Sequence, residues 1–194
     1  QNVMIDNNIS QGNGGGIYMV TSDPIMTNVT VTNNFCTYWG GGVALWPVDE
    51  DMAANSPIMT NMIISGNISG GIGSGLWVMS STPTLTNVEI SGNSNPISGG
   101  GILFAGDPGN PVVATLTNVT IVDNTAGVAG GIVLSNANIE IINSIIWGNE
   151  PNSYGASEAS SFPDFSYSNV EMPNGNVHPG LGNIHADPLF TDPE

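Results

Sequence analysis

The sequence repeats itself with a period of about 26 residues, and this repeat constrains the fold more than any other feature. Each unit carries an asparagine at the same place, and successive asparagines are 26, 33, 26, 31 and 25 residues apart. They are Asn2, Asn28, Asn61, Asn87, Asn118 and Asn143. The apolar residue that follows the glycine run lies 14 or 15 residues after each of the first five asparagines, so the insertions fall in the one remaining loop. Insertions confined to one side are typical of repeat architectures.

Each unit predicts two or three short strands and no helix. The segments "LTNVEI" and "GGGILF" combine a period-two apolar pattern with β-branched residues, and glycine or proline separates such segments. Such units predict an all-β fold, a parallel β-helix (solenoid) of about five to six coils. Residues 1–149 are expected to form the coils, and residues 150–194 a C-terminal tail or a final irregular coil packed on them.

Two columns of asparagine are expected to run along the solenoid. An amide side chain both donates and accepts, so identical asparagines stacked at the coil spacing can hydrogen-bond along the axis. One column is Asn28, Asn61, Asn87, Asn118 and Asn143, and the other is Asn8, Asn34, Asn67, Asn93, Asn124 and Asn149. We interpret both columns as structural ladders.

The repeat resembles that of a known group of surface proteins. The motif "ISGN" followed by "GGGI" is similar to the paired short motifs of the polymorphic outer-membrane proteins, and more broadly to the right-handed parallel β-helix (pectate-lyase-like) superfamily. The closing "NSIIWGN", "SYSNV" and "GNIHADPLF" resemble the last coils of secreted bacterial β-helix proteins. The resemblance implies a right-handed coil and an extracellular or cell-surface location, but this fold hosts lyases, hydrolases, tailspikes and adhesins.

The charge balance excludes several classes of function. The chain contains no lysine or arginine, and its formal net charge is −16. A nucleic-acid backbone would be repelled, and an anionic lipid surface would find no basic patch. No apolar run approaches the roughly 18 residues that a membrane helix needs, so no membrane insertion is expected. The resemblance implies that lyases of this superfamily abstract a proton with a basic residue, and this chain has no lysine or arginine for that role. That mechanism is excluded unless a further segment supplies the base, and a polysaccharide lyase or hydrolase stays the alternative.

The acidic and histidine residues predict no catalytic site. A glycosidase needs two carboxyl groups about 5–10 Å apart, which on a solenoid means acids on neighbouring coils. Alignment of the repeats gives each of four acids only uncharged neighbours: Asp6, Glu89, Asp123 and Glu140. No carboxylate pair is therefore expected on any sheet face. His178 and His185 are interpreted as surface or turn residues rather than a metal pair.

The first two inter-coil loops carry acidic residues that suggest either a calcium site or a solvated loop. The residues concerned are Asp23, Asp49, Glu50 and Asp51. Clustered carboxylate oxygens on a loop suit Ca²⁺, and both interpretations remain open.

An apolar stripe is expected on the outside of the solenoid. It is formed by the residue that directly follows the first apolar residue after each glycine run. Its members are Tyr18, Ala44, Trp77, Leu103 and Val133. A contiguous exposed apolar surface usually marks an interface. The tail after Pro151 or a neighbouring subunit would cover it, and the alternative is that Tyr18 and Trp77 stack on sugar rings.

Together these patterns favour a non-enzymatic, extracellular structural or adhesive module. Its partners would be copies of itself, through end-to-end or lateral contacts, or molecules of a cell surface. The loops at 46–57 and 105–115 are the expected binding edge. The alternative is a carbohydrate-binding or carbohydrate-active β-helix.

Overall fold

A computed structural model of the chain describes residues 2–47, 55–156, 161 and 163–190. In these ranges the chain forms twenty β-strands and no helix. The strands wind into a parallel β-solenoid of about six turns, which confirms the predicted fold class. Each turn contributes strands to as many as three sheets, and the two larger sheets run the length of the solenoid.

The three sheets differ in size, and all of their paired strands run parallel. The long sheet comprises β1 (Val3–Asp6), β4 (Ile25–Thr27), β5 (Val29–Thr32), β8 (Ile58–Ser65), β11 (Thr84–Ser91), β13 (Val112–Thr117), β14 (Thr120–Val122), β16 (Ala137–Ile142), β17 (Ile145–Trp147), β19 (Pro163–Ser166) and β20 (Asn169–Val170). The six-strand sheet comprises β3 (Ile17–Val20), β7 (Val43–Trp46), β10 (Leu76–Met79), β12 (Ile102–Ala105), β15 (Ile132–Ser135) and β18 (Tyr154–Ala156). The three-strand sheet comprises β2 (Ile9–Ser10), β6 (Phe35–Cys36) and β9 (Ile68–Ser69).

The core is built from like residues stacked in register. Ile90 in β11 pairs with Ile64 and with Ile121 on the coils at either side, and all three side chains are fully buried. Leu85 pairs in the same way with Met59 and Leu116. Since the side chains of a strand alternate between its two faces, this register sends one apolar set inward in every coil.

The strands of the long sheet bend at an asparagine that interrupts the alternation. In β11, Leu85 and Val88 both point inward although they are three residues apart, and Asn87 between them has a φ of 54°. Asparagine tolerates this left-handed conformation better than most residues. The same bend recurs in other coils at Asn28, Asn61, Asn118 and Asn143, with φ between 50° and 58°.

The segment after residue 149 adds three more strands to the solenoid. Strands β18, β19 and β20 pair with β15, β16 and β17, respectively. Phe165 in β19 lies in register with Ile141 and is fully buried. Beyond β20 the chain returns to the side of this strand, where the main chains of Asn169 and Ile184 form a parallel β-bridge. The ring of His178 packs on Phe165, with 4.6 Å between the ring centroids.

Candidate functional site

The inner asparagine ladder is a continuous chain of hydrogen bonds, buried everywhere except at its first member, Asn8. The Oδ1 atom of Asn93 accepts from the main-chain N–H and from the Nδ2 of Asn67, both at 2.9 Å. The Nδ2 of Asn93 donates in turn to Asn124 Oδ1 and to the carbonyl oxygen of Ile64, also at 2.9 Å. The ladder extends over Asn8, Asn34, Asn67, Asn93, Asn124 and Asn149. Each buried amide is thereby satisfied, as burial of polar groups requires.

The outer asparagine ladder follows the bends of the long sheet and is exposed. Each Nδ2 donates to the Oδ1 of the preceding coil, as from Asn87 to Asn61 at 3.2 Å and from Asn118 to Asn87 at 3.0 Å. The bonds run without interruption over Asn28, Asn61, Asn87, Asn118 and Asn143. The two columns predicted from the sequence therefore superpose as predicted, and they join coils rather than form a reactive centre.

The carboxylate of Asp6 is fixed by two neighbours on the next coil. Asn33 Nδ2 and Thr32 Oγ1 each donate to its Oδ1 at 2.9 Å. The bond from Asn33, and then that from Thr32, holds the pKa of Asp6 below its ordinary value. Bonds to the charged form favour ionisation, so Asp6 is a poor proton donor at neutral pH.

One pair of carboxylates does lie on neighbouring strands, and the prediction that no such pair exists is wrong. Glu140 in β16 is in register with Asp164 in β19, and both side chains are exposed on the outer face of the long sheet. The residue counts that aligned the earlier coils do not hold after residue 149, because this last coil advances by 24 residues (164 − 140) rather than about 26. The pair borders a shallow depression that Val113 and Asn138 also line.

The proposed calcium ligands fall partly outside the described residues. Asp49, Glu50 and Asp51 lie there, and of the four only Asp23 is described. Its Oδ1 accepts a hydrogen bond from the main-chain N–H of Ser56 across the loop. Among the described residues, no group of three or more His, Cys, Asp or Glu side chains is placed to hold a metal ion. Calcium binding at this loop stays a prediction.

The apolar stripe is mostly covered, so the expectation that it is exposed is wrong for all but its first member. Tyr18 is 46% exposed, whereas Trp77, Leu103 and Val133 are 3–7% exposed. They form a second apolar cluster together with residues of the glycine-rich turns, namely Trp39, Ile72 and Ala129. The turn that precedes each strand folds back over the stripe, so neither the tail nor a second subunit is needed to cover it. Phe165 of the tail lies instead in the main core.

Three tryptophans in this second cluster form a layered aromatic surface, which we call the tryptophan platform. The rings of Trp39 and Trp46 are parallel to within 3°, with centroids 5.5 Å apart. The Trp77 ring lies 5.0 Å from the first and 5.2 Å from the second, tilted by 28–29°. Trp39 and Trp46 are half-buried, while Trp77 lies beneath them.

Glycines in the adjacent turn make room for this platform. A Cβ on Gly71 would approach Trp39 Cδ1 to 3.0 Å, and one on Gly73 would come within 2.8 Å of Trp77 Cβ. Gly73 also has a φ of 63°. Sequence reasoning singled out Trp77 but missed Trp39 and Trp46. The available signal was that three of the four tryptophans lie within residues 39–77.

The remaining candidate residues, a cysteine and two histidines, are buried or packed on aromatic rings. Burial raises the pKa of the Cys36 thiol to about 11, despite nearby main-chain hydrogen bonds from Tyr38, Gly15 and Gly14, so the reactive thiolate is scarce at neutral pH. His185 packs on Trp147, with ring centroids 5.1 Å apart, and His178 packs on Phe165. The two histidines therefore pack on different aromatic residues.

Comparison with known proteins gives one short likeness. Residues 2–19 match the Chlamydia polymorphic membrane protein repeat. No significant match was found among curated proteins or among solved structures. In the described part of the chain, no helix has the length and apolar character needed to cross a membrane.

Proposed function

We propose that this chain is a structural and adhesive module displayed at a cell surface, without enzymatic activity. One observation carries the proposal. The asparagines that the repeat places in every coil hydrogen-bond to the next coil, in two ladders that follow the solenoid. The match of residues 2–19 to a membrane-protein repeat supports a surface location. The resulting wall is long, repetitive and regular, as suits a scaffold that presents its outer faces to partners.

The exposure of the acidic residues supports a non-enzymatic role. A general acid at neutral pH needs a raised pKa, which burial in an apolar site normally supplies. Glu140 and Asp164 are both exposed, and Asp6 has a lowered pKa. Cys36 is buried with a raised pKa. None of these groups has the surroundings of an activated acid or nucleophile.

Surface display and adhesion are tested together on cells and on coated beads. Antibodies against the purified protein should label intact cells of the source organism, and beads coated with the protein should resist detachment from cell monolayers under flow. Albumin-coated beads are the control. Labelling only after permeabilisation would refute surface display, and retention no better than that of albumin would refute adhesion.

A carbohydrate-active alternative is favoured by the Glu140–Asp164 pair, and it has a separate test. The protein is incubated with neutral and with uronic-acid polysaccharides, and new reducing ends are measured. We expect none. Release of reducing ends that is lost in Glu140→Gln or Asp164→Asn would replace the non-enzymatic proposal with a hydrolase.

A further inference from the structure

The tryptophan platform is an addition to the fold rather than a requirement of it. The first coil builds the same turn and strand with Asn13 in the place of Trp39 and Val20 in the place of Trp46, each 26 residues earlier. The same sheet continues through later coils, which lack this pair of tryptophans. Smaller residues therefore suffice at both positions, and the second coil alone carries two large aromatic rings that remain partly exposed.

The shape of the platform favours a flat apolar ligand. Its two outer rings are parallel and the third is tilted by less than 30°. The three rings are stacked on one another, so a ligand would pack on the outer face of the stack. A site for a quaternary ammonium ion instead encloses the cation within an aromatic cage. The C–H face of a pyranose ring is flat and apolar, and it packs well against the outer face of such a stack.

The charge of the chain restricts the ligand further. With sixteen acidic residues and no lysine or arginine, the protein has no permanent cation to pair with a uronate, sulfate or phosphate group. An anionic saccharide would therefore be repelled over most of the surface. The favoured ligand is an uncharged saccharide.

Polar groups at the platform supply the hydrogen bonding that such a ligand needs. The indole Nε1–H of Trp77 is buried and has no hydrogen-bond partner among the described residues. A buried donor without an acceptor is costly and calls for an explanation. The hydroxyl of a sugar is an acceptor of the kind that this donor lacks. Tyr18 and Tyr38 are 46% and 56% exposed; Tyr18 is in register with Ala44 beside the platform, and Tyr38 directly precedes Trp39.

We propose that the platform of Trp39, Trp46 and Trp77 is a binding site for the ring of an uncharged sugar in a polysaccharide chain. The site deepens the proposed adhesive function, on which it rests, by naming the class of molecule that the surface module holds. Stacking on Trp39 and Trp46 would supply most of the affinity, and polar contacts would set the orientation of the ring.

Titration of the full chain with defined oligosaccharides tests this site. The probes are the hexasaccharides of cellulose, starch and chitin, with polygalacturonate as an anionic comparison. Binding is measured by tryptophan fluorescence and by calorimetry. We expect at least one neutral hexasaccharide to bind and to change the fluorescence. Trp39→Ala and Trp46→Ala should each weaken that binding by roughly tenfold, the effect of removing one aromatic stacking partner.

Further variants separate a binding role from a structural one. Trp39→Tyr should retain part of the affinity, and Trp147→Ala, which removes a tryptophan outside the platform, should leave it unchanged. The assignment is refuted if no neutral hexasaccharide binds, if polygalacturonate binds as tightly, or if Trp147→Ala weakens binding as much as Trp39→Ala. Beads coated with Trp39→Ala/Trp46→Ala distinguish the two proposals. If they adhere as well as beads coated with the unaltered protein, the adhesive function stands and the platform is not the site that mediates it.

Discussion

Replacement of Asn93 by alanine is the most direct test of the inner ladder. The variant removes the oxygen that accepts from the main-chain N–H and the Nδ2 of Asn67, and the amide that donates to Ile64 O and Asn124 Oδ1. The Asn67 N–H is buried, and an orphaned buried donor costs about 1–3 kcal/mol. The two lost hydrogen bonds donated by Asn93 and the void left by its amide add to this cost. We therefore expect the free energy of unfolding to fall by about 3–4 kcal/mol in total.

Thermal unfolding followed by circular dichroism measures this loss. For a chain of this size, 1 kcal/mol corresponds to about 2–4 °C in Tm, so Asn93→Ala should lower Tm by about 6–16 °C. Asn87→Gly is the matched control on the outer ladder. It also removes a rung, but water replaces the exposed bonds and glycine accepts the positive φ, so the change should stay below about 1 kcal/mol. Equal effects of the two substitutions would refute the distinction between a buried and an exposed ladder.

The isosteric variant Asn93→Asp isolates the donor half of the amide. It keeps an acceptor for Asn67, but its second oxygen faces the oxygens of Ile64 and Asn124. Burial raises the pKa of such a carboxyl in the folded state, so the destabilisation grows as the pH rises above the unfolded value of about 3.9. Stability should recover in part on acidification, when the protonated acid donates again. A Tm deficit that is independent of pH would contradict this.

Three further predictions concern titratable groups. Cys36 should not react with Ellman's reagent at pH 8 in the native protein and should react fully after denaturation, since its thiol is buried with a raised pKa; a fast native reaction would contradict its burial. The lowered pKa of Asp6 means that its contribution to stability is present above pH 4 and is lost as the pH falls through the folded-state value. The Tm deficit of Asp6→Asn should therefore shrink on acidification, and a constant deficit would exclude this linkage. Asp164→Asn should stabilise the protein by about 0.2–1 kcal/mol in urea unfolding, because it relieves like-charge repulsion across the pair with Glu140, and a loss of stability would show that the pair is held by a bound cation.

The fold was largely predictable because the repeat defines the stacking. Once the asparagines of the repeat are aligned, the strand residues up to 149 acquire fixed neighbours on the next coil, and the structure confirms this register at Ile64, Ile90 and Ile121. The Glu140–Asp164 pair was not predicted for two reasons. The final coil is shorter, and it lacks the asparagine and glycine run by which the earlier coils were aligned.

The covering of the stripe was missed for a different reason. Alternation correctly placed Trp77 on the outward face of β10, but alternation describes a strand and not the turn that precedes it. Whether Trp77 meets water depends on the path of residues 70–75 and on the side chain of Trp39, which belongs to another coil. Such contacts between a loop and a sheet face carry no period in the sequence.

The inner ladder makes the length of this protein adjustable in whole units. Excision of residues 67–92 would join Gly66 to Asn93, and the Asn34 amide would then meet Asn93 in the place of Asn67, with the same polarity of donation. The neighbouring core columns would close in the same way. With Ile90 removed, Ile64 would pair directly with Ile121. Duplication of that segment is the reverse operation. A gene for such a chain can therefore lengthen or shorten its product through unequal recombination, while each surviving turn keeps the neighbours that it needs.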